Sequence, residues 1–252
     1  MIYVNSPHAR GVVGLSCGEL ARYTSFHACF DAVQAPPHSR KSYGVGYDTA
    51  SNSNDIIRSM HPADQWVWIM DDDHAFPSST LIDLLDRQVD IVVPFYVQRK
   101  SPFWPVIYSA LPDGRFTTIS LADLKGQTGL VKIDSAGKGG VLIRRPVLVA
   151  MAGADCVCPP PEDGDPRRLH DPACVWPRST WFEHRGLIGE DHVFFTKAKE
   201  LGFQTYVDLD VPIDHLTTIA VAPRQVPDGE WFVELNLQNH VRVIVREQAP
   251  GA

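Results

Sequence analysis

Three consecutive carboxylates, Asp71-Asp72-Asp73, close an apolar run of five residues, Trp66-Val67-Trp68-Ile69-Met70. Three adjacent negative charges repel one another and resist burial. A divalent cation at their tip removes that conflict, because hard cations take carboxylate oxygens. The chemistry this implies is a metal and nucleotide-diphosphate site. The plainer alternative is a solvated acidic turn, or a helix start that favours negative charge. A second carboxylate pair, Glu190-Asp191, precedes a helical pattern, where the helix dipole favours the ionised forms and a loop can aim them into a cleft. Acidic residues are also ordinary at such positions. His215 follows a strand pattern, and imidazole is a good transition-metal ligand, although a partly buried turn histidine reads the same way. Arg99 and Lys100 leave another strand pattern and could face a diphosphate or an acidic acceptor, or form a solvated basic loop. Asn52 and Asn54 sit at a polar helix start that could orient a ligand, or simply cap the helix.

The elements that must position these groups can be read in order. Ile2-Tyr3-Val4 predicts a short strand, and residues 5–14 a loop holding a proline and two glycines. Ser16 with Glu19 resembles a capping box, followed by Leu20, Tyr23, His27 and Phe30 at helical spacing. Residues 35–47 read as a loop with a small basic patch, and a second helix is expected from near Asn52 or Asn54. The run 66–70 is long and apolar enough for a buried strand, expected in a parallel sheet. Its carboxyl end is where open α/β sheets place ligands. A capped helix follows after Ser79, then a strand at 90–96 and a hairpin around Leu111–Gly114. Strands are expected at 130–134 and from Val141, with the glycine-rich Gly137-Lys138-Gly139-Gly140 between them. That tetrad lacks the spacing of known phosphate loops and marks a sharp turn or a close backbone approach. Pro146 opens a short helix. Residues 152–179 form a long loop with Cys156, Cys158, His170 and Cys174, either free thiols or a structural zinc site. A helix from Glu190 stops at Gly202, and a strand leads to His215.

Composition bounds the rest. The 252 residues suffice for one large α/β domain or two intimate halves. A net charge of −7 argues against a dedicated duplex-binding module. No run approaches the roughly 18 apolar residues of a membrane span, and the first residues do not read as a signal peptide, so a cytoplasmic protein with no membrane span is expected. Five cysteines, an odd number, fit reduced thiols.

The order of these signals resembles the GT-A fold glycosyltransferases, in particular the family 2-like set, over roughly residues 45 to 216. The residues that carry it are Trp68 to Pro77, with their Asp-x-Asp, or DXD, pattern; Gly139 to Arg144; Gly189 to Gly202; and Tyr206 to His215. The resemblance implies a single α/β, Rossmann-like domain with a mostly parallel central sheet flanked by helices. It would span residues 1–216, with a nucleotide-sugar half to about 110, an acceptor half to 216 and a C-terminal appendage at 217–252. It further implies a hexosyltransferase-type enzyme that moves a sugar from a nucleotide-diphosphate sugar, a UDP-sugar in the first instance, to an acceptor hydroxyl, inverting the anomeric centre. Asp73, Asp71 and His215 would make the Mn²⁺ or Mg²⁺ site, with Asp71 also reaching the ribose or metal-bound water. Asp191 would be the general base and Glu190 its support. Asn54 falls where related enzymes hold the donor, and Asp72 and Arg99 join the donor side. The acceptor could be a protein side chain, a glycan or a modified nucleobase. Residues 1–50 match this pattern poorly. Two alternatives stay open: a GT-A-like nucleotidyltransferase, of which Arg10-Gly11-Val12-Val13-Gly14 is a faint echo, and a non-catalytic sugar- or nucleic-acid-binding module.

Overall fold

The computed structural model describes residues 1–17, 24–46, 48–99, 102–155 and 176–217, together with the backbone of three strands at 219–225, 231–237 and 241–245. Its centre is a seven-stranded sheet. In chain order the strands are β1 (Val12–Cys17), β2 (Arg40–Val45), β3 (Trp66–Asp71), β4 (Ile91–Phe95), β5 (Leu130–Ile133), β6 (Val141–Arg144) and β7 (Thr205–Pro212). Their spatial order is β5-β7-β4-β6-β3-β1-β2. The pairs β1–β2, β1–β3 and β4–β7 are parallel, whereas β6 runs antiparallel to both β3 and β4, and β5 antiparallel to β7. Five strands therefore share one direction and two oppose it. The expected mostly parallel sheet is in fact a mixed one.

Among the described residues, five α-helices flank the sheet: α1 (Thr24–Ala32), α2 (Thr49–Arg58), α3 (Thr80–Asp86), α4 (Arg145–Ala152) and α5 (Glu190–Glu200). The period-two alternation of β3 explains the layering. Val67 and Ile69 enter one core with Ile56 of α2, Val147 of α4 and Phe194 of α5, while Trp66, Trp68 and Met70 enter the other with Phe26 of α1 and Leu81 of α3. Burial on both faces is why β3 reads as a continuous apolar run.

The first fifty residues depart from the sequence reading. Val12–Cys17 is an inner strand, so Ser16 lies in the sheet and caps no helix; Glu19 lies outside the described residues. The glycines that suggested a loop are small for packing reasons. A Cβ on Gly11 would lie 2.2 Å from the Trp66 indole, one on Gly14 2.3 Å from Ile56 Cγ2, and one on Gly44 2.2 Å from the Asn52 carbonyl oxygen. They let α2 and Trp66 close onto the sheet. Residues 40–45, expected in a loop, form the edge strand β2, whose outward face explains its polar composition. Helix α2 begins at Thr49, earlier than expected, because Asp48 caps it through Ser51 N–H. The hairpin at 107–118 and the starts of α4 and α5 lie where the sequence puts them. Residues 219–245 hold a separate three-stranded antiparallel sheet. No described helix is long and apolar enough to cross a membrane. Cys156, Cys158, His170, Cys174 and Lys100 lie outside the described residues.

Candidate functional site

The carboxyl ends of β3, β4 and β7 point to one end of the sheet. Because β6 runs the other way, the turn that feeds it, Gly137–Gly140, arrives at that same end. A short antiparallel pair joins His74-Ala75 to Asp214-His215, with His74 directly opposite His215. Directly opposed residues bring their side chains together, and the two imidazoles stack at 4.6 Å between centroids. Leu216 N–H donates to the Asp73 carbonyl at 2.7 Å and pins the pair to the end of β3.

Ligand-type atoms of Asp73, His74 and His215 lie within 4.8 Å of one another. His215 Nδ1 is 2.9 Å from the Val97 carbonyl, which can only accept, so Nδ1 carries a proton there; Nε2 lies 3.6 Å from Asp73 Oδ2. Arg99 contributes a 2.9 Å ion pair to the same Oδ2. Burial by itself would raise the Asp73 carboxyl, but the imidazoles of His215 and His74 beside it outweigh burial and hold the group well below the usual carboxylate range. Asp71, expected beside Asp73 at a cation, is not in this cluster. Its Oδ1 takes an ion pair at 2.5 Å from Lys138, which is 3% exposed. Burial would lower the Lys138 ammonium; the Asp71 and Asp191 charges overcome that and raise it.

Asp191 reaches the same place from the first turn of α5. Its carboxylate accepts from Lys138 N–H, and its Oδ1 is buried without a hydrogen-bond partner. Burial, opposed by Lys138 and reinforced by the Glu190 and Asp71 charges, pushes the Asp191 carboxyl up to about 7. Glu190 instead faces the start of α2, where the Thr49 hydroxyl donates to it and His184 Nδ1 lies 3.5 Å away. Asn54 does not face open space. Its amide donates to Phe182 O at 2.7 Å and accepts from the N–H groups of Trp181 and Phe182 at 3.0 Å each. These bonds clamp the segment before α5. Asp72 lies at the turn after β3 and makes no part of the Asp73, His74 and His215 cluster.

Several groups at this end were not singled out by the sequence reading. Tyr96 is 6% exposed, packs edge-on against His74 at 4.8 Å, and accepts from Gly139 N–H. Burial first, then the Asp71 and Asp191 charges, raises its phenol well above the ordinary value. Lys138 was visible only as one letter of a glycine-rich tetrad; the glycines on either side were its signal. A Cβ on Gly139 would sit 2.6 Å from His74 Cε1, and one on Gly137 2.4 Å from the Tyr96 hydroxyl oxygen. The tetrad is thus the close backbone approach expected of it, made against side chains of the site. His192 stacks on Phe116 at 4.3 Å and shares a 2.7 Å hydrogen bond with Ser135.

No family model and no curated protein matches the chain. Among solved structures, the crystal structure of A197 from STIV is similar over 96% of this chain and 97% of its own, at 10% sequence identity and a TM-score of 0.47. A likeness of that degree identifies neither a family nor an activity.

Proposed function

We propose that this end of the sheet is the centre of a metal-dependent glycosyltransferase of the GT-A type. The observation that carries the reading is the convergence of two differently tuned carboxylates. Asp73 is held ionised beside two imidazoles, one of which, His74, abuts Gly139, while Asp191 is raised to about 7 beside Lys138 of the same turn. Pairs of carboxyls pushed apart in this way are how one site supplies both a permanent charge and a proton acceptor at neutral pH. Asp73 and His215 would hold Mn²⁺ or Mg²⁺: the carboxylate oxygen suits either ion, and the imidazole nitrogen suits Mn²⁺. The ion would supply charge against the diphosphate leaving group. Arg99 would turn from Asp73 toward a phosphate oxygen, and Asp71 would accept from a ribose hydroxyl. Asp191 would take the proton of an acceptor hydroxyl as its oxygen bonds to the anomeric carbon; the bond to the diphosphate oxygen breaks and its electron pair leaves with the diphosphate. Glu190 would hold the acceptor.

A module that binds without turnover is the second reading, favoured by one observation: Asp71 and Asp73 are already held by Lys138 and Arg99 of the chain itself. In the faint nucleotidyltransferase echo at Arg10 to Gly14, Gly11 and Gly14 close onto Trp66 and Ile56, and Arg10 is paired with buried Asp64 at 3.0 Å. Product analysis separates all three. The protein would be incubated with UDP- and GDP-sugars and Mn²⁺, and the released species resolved by ion-exchange chromatography. Nucleoside diphosphate, lost in Asp191→Asn, is the expected product; pyrophosphate would point to nucleotidyl transfer, and retention of intact donor to a binding module.

A further inference from the structure

His74 has no assigned role in that reading. It is 1% exposed, and neither ring nitrogen has a hydrogen-bond partner. Nδ1 lies 3.2 Å from Asp73 Oδ1, close enough for an ion pair but without hydrogen-bond geometry. A buried imidazole with both nitrogens unsatisfied carries a desolvation cost that native cores rarely leave uncompensated. Its place opposite His215 puts a nitrogen in the same 4.8 Å group as Asp73 and His215. The surroundings also favour ligation. His215 donates Nδ1–H to the Val97 carbonyl, the outer hydrogen bond that fixes the tautomer of a metal-bound imidazole. Gly139 leaves room against the His74 ring that a side chain would fill.

We propose that Asp73, His74 and His215 form one three-ligand cation site, and that its two imidazoles make it take a transition ion such as Mn²⁺, Co²⁺ or Zn²⁺ in preference to Mg²⁺ or Ca²⁺. Mg²⁺ and Ca²⁺ take oxygen ligands and hold few nitrogens, whereas imidazole suits the later divalent ions. Arg99 shares Asp73 Oδ2, so uptake of the ion displaces its guanidinium. The inference rests on reading this end of the sheet as a cation and diphosphate centre, and it assigns the ion's class and a third ligand.

The test uses Co²⁺ alone as the probe on the full chain. Proton NMR of the Co²⁺-loaded protein reads imidazole N–H signals shifted far outside the ordinary range, one per ligating histidine. Two such signals are expected, both lost in Asp73→Ala, with a tenfold excess of Mg²⁺ over Co²⁺ displacing less than a tenth of the ion. Because His74 is buried and its replacement could unfold the chain, the wild-type spectrum carries the result, with His215→Asn as the companion that removes one signal. A single shifted signal, no Co²⁺ uptake, or displacement by equimolar Mg²⁺ would overturn the inference. Nucleoside diphosphate release supported by Mg²⁺ alone would then leave the transferase reading standing, so the two failures are distinguishable.

Discussion

Asp191 sits between opposing influences, and the balance sets how it behaves with pH. Its folded value of about 7 lies above the 3.8 of a free aspartate. The folded state therefore binds more protons between those values, and stability falls as pH rises from about 4 to about 7. The shift corresponds at most to ~4 kcal/mol, less because the residue keeps partial exposure. Asp191→Asn is expected to raise the melting temperature at pH 8 by about 3–5 °C and hardly at all at pH 4, read by scanning calorimetry. The same substitution should lower sugar transfer by about 10²-fold or more, and the wild-type rate should climb through pH 7 as the carboxyl ionises. Stability and activity thus move in opposite directions, which a merely structural aspartate would not produce. Asn54 makes the contrasting case. Its three hydrogen bonds to the backbone of Trp181 and Phe182 are buried, so Asn54→Ala should cost about 2–3 kcal/mol in urea unfolding and impair transfer only by loosening α5.

Among the elements, the turn at Gly137–Gly140 couples fold to site. Gly140 has φ +85°, and a Cβ there would lie 2.6 Å from Pro94 Cγ; Gly114 has nearly the same backbone, φ +82°, with nothing within 4 Å. Gly140→Ala should therefore destabilise by about 2 kcal/mol or more, and Gly114→Ala by about 1 kcal/mol, since only the first adds a clash to the left-handed strain. Urea titration of the two variants side by side checks this. The turn also marks where sequence reading stops. Strand β3 and helix α5 were legible because an unbroken apolar run and an acidic helix start are local signals. Strands β1 and β2 were not. Gly11, Gly14 and Gly44 have the composition of a turn, and only the indole of Trp66, the side chain of Ile56 and the backbone of α2 explain them. Lys138 stayed hidden for the same reason: its flanking glycines mark a close approach, but only the fold shows that the lysine between them is buried.

Across the whole molecule, the site exists because distant segments pair. Asp73 and His215 were legible as candidates, but the pairing of His74 with His215 depends on β7 returning beside β4, which no local pattern encodes. The N-terminal part is tied down by another long-range group, Asp64, fully buried, which receives Arg10 at 3.0 Å, Arg40 at 2.8 Å and His61 N–H at 2.7 Å. Burial would raise its carboxyl, but these donors hold it below the ordinary value. Its contribution is therefore present above the free aspartate value near 3.8 and lost as pH falls through the folded one. Asp64→Asn should destabilise at pH 7 by about 3 kcal/mol and flatten the acid limb of the stability profile, measured by urea unfolding from pH 3 to 7.

The central claim is that one end of this sheet binds a nucleotide-diphosphate sugar together with a divalent ion. Thermal unfolding of the full chain against a panel of nucleotide sugars, with and without Mn²⁺, tests it most directly, because stabilisation follows affinity. A rise in melting temperature for at least one donor, dependent on Mn²⁺ and absent in Asp73→Asn, is the predicted result. No shift with any donor, or an equal shift without the ion and in Asp73→Asn, would contradict it.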